Sequence, residues 1–410
     1  MAALINKKSL KRKRPQGFDI ESLKKALSDR FKGVLICLSY SWGGLEQVAA
    51  QDAVDLAELG LKFKFICLKD SPIYERLKEH TSIELYPLDF RPKNYFDFKF
   101  KKVLTGLAEE GFNLVHTVQT TLLGSIVPWL WSNPKIVLLA SRHIMSNHYK
   151  KNPLHRTIYR RLDGLIIMSN ALKENVLETH PLKERQVELI RLGLDFNKFD
   201  PKKVDSKSQR QAWGIEPKQI VIGIVGRIDP AKGQATFIKA AAGLLKDDAL
   251  VKKLKFVIVG EETRGSDTGY MDELKTMVQQ FRIEENFIFS GHQDNIPEIM
   301  GAFDICAMPS KQEAFGLVAI EAMAMQCPIV ISKGGSSHEI VGENEEFGYL
   351  VHPEDAFDLQ RQLFNLLENP TKTIEMGKKA MVYVRDHYDK EVRIQKTLEY
   401  YEWCLRRRGL

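Results

Sequence analysis

From residue 33 onward, short apolar runs alternate with longer segments whose apolar positions recur three and four residues apart. The short runs predict strands at 33–39, 62–68, 112–117, 135–141, 163–169 and 187–193, then at 219–226, 254–260, 286–291, 303–309, 327–332 and 347–351. The longer segments predict amphipathic helices, such as "LEQVAAQDAVDLAELG" at 45–60, which Gly60 stops. Strands separated by helices imply parallel sheets covered on both faces. The pattern pauses once, in the polar stretch 195–211, which reads as a linker. The chain therefore reads as α/β, two tandem doubly wound domains with a cleft between them at the carboxyl ends of their strands. The divisions expected are an extension at 1–30, a first domain at 31–198, a second at 199–385 and a C-terminal helix at 386–410. That helix, the end of a helical pattern spanning about 374–403, is expected to pack back on the first domain.

A length of 410 residues suits two domains, and 44% apolar with 28% charged residues is ordinary for a soluble globular chain. Cysteines at 37, 67, 306, 327 and 404 form no C-x-x-C pair and lie mostly in apolar runs, so they read as buried thiols. No apolar run approaches the roughly 18–20 residues that span a bilayer, and the basic N-terminus lacks the apolar stretch of a secretory signal. These features predict a cytoplasmic protein. Charge is uneven: residues 1–195 hold 31 Lys/Arg against 21 Asp/Glu, while residues 196–410 hold 29 against 32. The basic half, densest at "KKSLKRKRP" (7–15), suits an anionic membrane surface or an anionic acceptor better than nucleic acid, though 7–15 also reads as a solvated tail.

Candidate chemistry concentrates in "MPSKQEAFGLVAIEAMAMQCPIV" at 308–330. A strand ends near Pro309, a polar turn follows and a helix begins near Phe315, with Glu313 before it and Glu321 inside it. Six helical residues rise about 9 Å, the length of a diphosphate. The amides of Phe315, Gly316, Leu317 and Val318 would form an anion site at the positive end of the helix dipole. One carboxylate could then meet sugar hydroxyls and the other a ribose.

The motif "EAFGLVAIEAMA", followed by "PIV" and "GG…EIV", resembles the retaining glycosyltransferases of family 4, which have the GT-B fold of two Rossmann-like domains. The likeness spans most of 33–390 and includes "GGLEQVA" (43–49), "GRIDPAKG" (226–233), "FSGHQDNIPEIMGAFDI" (289–305) and "GYLVHPED" (348–355). The resemblance implies that Arg227 and Lys232 hold the donor diphosphate and stabilise the charge growing on it. It implies that Glu313 contacts the transferred sugar, Glu321 the ribose, and residues 315–318 the sugar and phosphate. Gly43 and Gly44 resemble the loop that closes on the phosphates from the acceptor domain, with Glu46 either in the site or a helix-start charge. Gly291 and His292 would lie against the base. His143, with His116 ranked second, would contact the donor sugar.

The implied reaction moves a hexose from a nucleoside diphosphate sugar, UDP- or GDP-linked, to a glycan or glycolipid acceptor, with lipopolysaccharide or envelope polysaccharide synthesis as the context. Retention is expected through front-face attack, with no protein nucleophile, no cofactor beyond the donor substrate and no metal. A peripheral contact with the inner face of the cytoplasmic membrane is expected. Three departures stand out: "LGLD" at 192–195 replaces the usual NG(I/V)D, Gln326-Cys327 replaces the Gly before "PIV", and "SRHIMSN" differs around His143. The alternatives are a silent nucleotide-sugar-binding protein on the same fold, or another GT-B enzyme such as an epimerase.

Overall fold

A computed structural model describes residues 19–92, 97–131, 133–262, 269–311 and 315–410. It separates into two compact units, Met1–Leu192 with Glu391–Leu410, and Gly193–Lys390. Glu313 and the basic run 7–15 lie outside the described residues.

The first unit carries β1 (Gly33–Cys37), β2 (Phe63–Leu68), β3 (Glu84–Leu88), β4 (Leu114–Thr117), β5 (Val137–Ser141), β6 (Gly164–Ile167) and β7 (Val187–Leu189). They form one parallel sheet in the order β3-β2-β1-β4-β5-β6-β7. The central strands β1, β2, β4, β5 and β6 are buried throughout, as continuous apolar runs require when helices cover both faces. The strand β3 was not expected from the sequence. It is an edge strand, partly exposed, and contains Pro87, which an edge tolerates because one side of its backbone needs no partner.

The unit also begins earlier than expected. Asp19 caps a helix at Ile20–Ser28 by accepting the Ser22 N–H, and Leu23 and Leu27 enter the core beside Phe31, so residues from 19 belong to the unit rather than to an extension. The helical pattern expected at about 374–403 is two helices, Pro370–His387 and Lys390–Arg408. The second clusters with the first unit. Its Tyr401 stacks on Phe31 at 5.7 Å, its Arg393 pairs with Asp52 and, at 3.8 Å, with Asp55, and its Arg408 binds Asp163 at 2.7 Å.

The second unit carries β8 (Ile220–Val225), β9 (Leu254–Val259), β10 (Phe287–Gly291), β11 (Ile305–Met308), β12 (Ile329–Ser332) and β13 (Gly348–Val351), parallel in the order β10-β9-β8-β11-β12-β13. Phe237, Phe256 and Phe287 pack ring against ring in its core. The polar stretch 195–211 is built into this unit instead of running free. Asp195 and Asp200 close turns, Asp205 caps the helix Ser206–Ala212, and Arg210 reaches Asp304 at 2.6 Å. The boundary falls at Leu192–Gly193, before the expected 198. There Leu194 bonds to the Tyr388 carbonyl at 2.7 Å and receives the Lys390 N–H at 3.2 Å. Each unit is thus a Rossmann-like α/β domain. The five cysteines are buried and free, and among the described residues no helix is long and apolar enough to cross a membrane.

Candidate active site

In the second unit β8 lies between β9 and β11, so the loops leaving β8 and β11 open at the point where the strand order changes direction, the usual ligand position of such sheets. Backbone bonds tie the neighbouring loops together. The Gly226 N–H donates to Val259 at 3.0 Å, the Ile228 N–H to Glu261 at 2.9 Å, and the Gly260 N–H to Gly291 at 2.8 Å. On the other side the Lys311 N–H donates to Ala231 at 2.8 Å. Gly233 adopts φ +79°, and a Cβ there would lie 2.1 Å from the Pro309 carbonyl oxygen, so the close approach of these two loops requires glycine.

This framework brings together the residues of 226–233 and the start of the 309–317 segment. Arg227 is exposed, with Asp229 at 3.9 Å, and its carbonyl accepts a 2.7 Å bond from the Gln234 side chain. The Lys232 stem runs close to Gly226. The helix spans Leu317–Ala324, starting two residues after the expected Phe315, and Gly316 caps it at φ +85°. The first amide bonded within this turn is that of Ala319, to Gly316 at 2.9 Å, which leaves the N–H groups of Gly316, Leu317 and Val318 at the positive end of the helix. Phe315 is buried instead. Its ring meets Tyr388 edge-on at 5.8 Å and its carbonyl accepts from Ser336 Oγ at 2.5 Å, anchoring the turn that precedes the helix.

Glu321 sits one turn into that helix, half-buried, and burial pushes its carboxyl up to about 8. At neutral pH it therefore mostly keeps its proton. Gly291 ends β10 at φ +67°, and His292 beside it is exposed, 3.4 Å from Asp294.

In the first unit, Gly43 and Gly44 open the helix Gly44–Glu58. Gly43 is extended and donates its N–H to Glu46 at 3.0 Å, and Glu46 is buried. Glu46 is thus the reciprocal cap of its own helix, the helix-start role of the two left open for it. His143 follows β5. Its Nε2 is buried without a partner, and burial, with the charge of Arg393, lowers its basicity to about 3. His116 is occupied at both nitrogens, by Tyr401 OH and Ser141 Oγ, each at 2.7 Å. It ties β4 to β5 and to the last helix, and so fits a packing role. Sequence reading gave no signal for Gln234, Lys311 or Ser336, because each acts through contacts with residues distant in the chain or through backbone atoms.

Two family models match. "Glycosyltransferase Family 4" covers residues 42–198, and "Glycosyl transferases group 1" covers 205–382. The D-inositol 3-phosphate glycosyltransferase 2 of Catenulispora acidiphila is 26% identical over 257 residues, 59% of this chain and 59% of the relative; similar relatives are spanned over only 46% of their length, so the chain spans about half of the curated relatives it matches. The UDP-Gal:alpha-D-GlcNAc-diphosphoundecaprenol alpha-1,3-galactosyltransferase of Escherichia coli is 23% identical over 87% of this chain and 93% of its own. The fold is shared with Anabaena Alr3699/HepE in complex with UDP-glucose, at TM-score 0.77 and 22% identity over 91% of this chain and 99% of that one.

Proposed function

We propose, from the premise that this chain belongs to glycosyltransferase family 4, that it moves a hexose from a nucleoside diphosphate sugar to a glycan or glycolipid acceptor with retention of configuration. The observation that carries this reading is the joined pair of loops after β8 and β11, which set Arg227 and Lys232 beside the segment leading to the free amides at Gly316–Val318. Cations together with a helix N-terminus suit a diphosphate, and they gain most when its charge rises as the glycosidic bond breaks. Two cations supply the charge that a divalent ion would otherwise bring, so the transfer is proposed to be metal-independent.

Glu313 and His143 are assigned to the transferred sugar and Glu321 to the ribose, while Gly291 and His292 are assigned to the base. Gly43 and Gly44 are assigned to the phosphates. The acceptor hydroxyl attacks on the face that the diphosphate leaves, passing its proton to the departing phosphate oxygen. No side chain need form a covalent intermediate. A relative named for a UDP-Gal donor and a fold neighbour bound to UDP-glucose favour a UDP-sugar over a GDP-sugar. The diphosphoundecaprenol acceptor in that relative's name favours envelope glycan synthesis at the inner face of the cytoplasmic membrane.

A thermal-shift screen of UDP-, GDP- and ADP-sugars tests the donor, since a ligand of the folded state raises its stability by mass action. Stabilisation by a UDP-sugar, followed by transfer of labelled sugar in the α-configuration, is the expected result. Donor binding without hydrolysis or transfer would favour the silent binding protein, and β-configured product would remove retention.

A further inference from the structure

We infer that Gln234 is a positioning residue for the proposed transfer, fixing the peptide that follows Arg227 so that the guanidinium meets the donor diphosphate; this deepens the reading of the 226–233 turn and rests on it. Gln234 is the first residue of the helix Gln234–Leu244, which Gly233 caps. The residue is only 1% exposed, and the same helix buries Phe237 and Ile238 completely. Its side chain folds back across the turn, and Nε2 donates to the carbonyl of Arg227, seven positions earlier, at 2.7 Å. The bond settles which way round the amide sits, because a carbonyl can only accept and Nε2 alone carries protons.

The importance of the bond lies at the other end of the same peptide. The Arg227 carbonyl and the Ile228 N–H belong to one peptide group, and that N–H donates to the Glu261 carbonyl at 2.9 Å. A peptide is planar, so holding its oxygen and its nitrogen together stops it from turning about its own axis. The flanks are held as well: the Gly226 N–H donates to Val259 at 3.0 Å, and the Ile228 side chain is buried. The direction in which the Arg227 side chain leaves the backbone is therefore set from inside the domain, while its guanidinium stays at the surface. A long side chain carries any tilt at its root out to its tip, and a misplacement of about 1 Å at a reacting group can cost about 10²-fold in rate.

The second half of the amide argues that Gln234 does more than fill space. Its Oε1 is buried with no partner among the described residues. An acceptor left unpaired in the interior destabilises the folded chain, and a Met or Leu of similar volume would occupy the position without that penalty. Packing alone thus favours an apolar side chain there. The bond to Arg227 is what the amide adds. Gln234 holds the Arg227 backbone and not its guanidinium, so its influence on the donor should pass through Arg227 and disappear when the guanidinium is removed.

Calorimetric titration of the full chain with UDP tests this in Gln234→Met, Arg227→Ala and the double variant. Gln234→Met should bind UDP about tenfold more weakly than wild type, the upper range for a single hydrogen bond. Its melting temperature should stay close to that of wild type, because the lost bond and the removed orphan oxygen offset each other. In the Arg227→Ala background the same change should cost nothing further. Gln234→Glu supplies the rescue: at about pH 5 a buried carboxyl keeps its proton and can donate to the Arg227 carbonyl, so affinity should return close to that of wild type at the same pH. Should the Met chain not fold, Gln234→Leu replaces it throughout. Undiminished UDP affinity in Gln234→Met, an equal loss with and without Arg227, or a Glu variant that binds no better than the Met variant at pH 5 each overturns the positioning role. Any of these beside a wild type that binds UDP leaves the donor reading standing. A wild type that binds none of UDP, GDP and ADP overturns the donor reading, and this inference with it.

Discussion

In the second unit the loop after β8 and the loop after β11 are fastened to each other, by Lys311 on Ala231 and by Gly233 against Pro309, and the basic side chains ride on that fastening. In the first unit the glycines after β1 have no comparable clasp among the described residues. Gly44 would meet nothing within 4 Å, and the Gly43 amide is already taken by Glu46. The charge runs the other way, since the first half of the chain carries the excess of Lys and Arg and the second half a slight excess of Asp and Glu. If the second unit takes the proposed donor, rigid backbone and two cations are what meet it there. A pre-organised pair of loops is what separates the second unit from the first.

The sharpest way to break that comparison is Lys232→Ala. If the second unit does the charge stabilisation, turnover should fall by about 10²-fold or more, as when a pre-organised donor to a developing oxyanion is removed. Transfer of labelled sugar under saturating donor measures it, and near-wild-type turnover would take Lys232 out of the mechanism.

Gly233→Ala tests the clasp itself. The new Cβ cannot coexist with the Pro309 carbonyl oxygen 2.1 Å away, and the backbone there is left-handed, so a loss of roughly 2–4 kcal/mol is expected from strain and displaced loops. A lowered melting temperature together with weaker UDP-sugar binding is the expected pair of results. Lost stability with unchanged donor affinity would show that the clasp does not position the site.

How far these contrasts were legible in the sequence depends on the range of the interaction. Central strands and the helix stopped by Gly60 could be read because period and punctuation are local. The edge strand β3 could not, since its exposed Glu84 and Pro87 break the apolar run that marks the buried strands. The polar 195–211 stretch read as linker because Asp and Ser that cap turns look, in sequence, like Asp and Ser in solvent. For the candidate site, the motifs at 226–233 and 313–321 pointed to two loops, and the described start of the second is fastened to the first. The Lys311–Ala231 bond that joins those loops is between backbone groups, which carry no side-chain signature. The protonation of Glu321 was hidden for a related reason, because burial by distant residues sets it.

Glu321→Gln exploits that burial. The folded carboxyl titrates near 8 against 4.5 for its ordinary value, so the unfolded chain releases this proton first as pH rises. Stability attached to this group is fully present below about pH 4.5 and is lost progressively up to about pH 8. The Gln variant should match wild type in acid and exceed it by the order of 1–3 kcal/mol above pH 8, read as melting temperature against pH. Parallel curves across that range would mean that Glu321 is ionised in the folded chain.

The smallest effect expected is at Tyr401→Phe, and it separates the two histidines of the first unit. Removing this hydroxyl strips His116 Nδ1 of its partner 285 positions away, in a site where His116 is 2% exposed. One unsatisfied buried nitrogen costs about 1–2 kcal/mol, a few degrees in melting temperature for a unit of this size. Because His116 is closed to ligands on both sides, donor affinity and turnover should not change. His143→Gln should do the reverse, since its Nε2 has no protein partner to lose. The melting temperature should hold while turnover falls. If Tyr401→Phe instead lowered turnover without lowering stability, His116 would belong to the chemistry, and the first unit would be as pre-organised as the second.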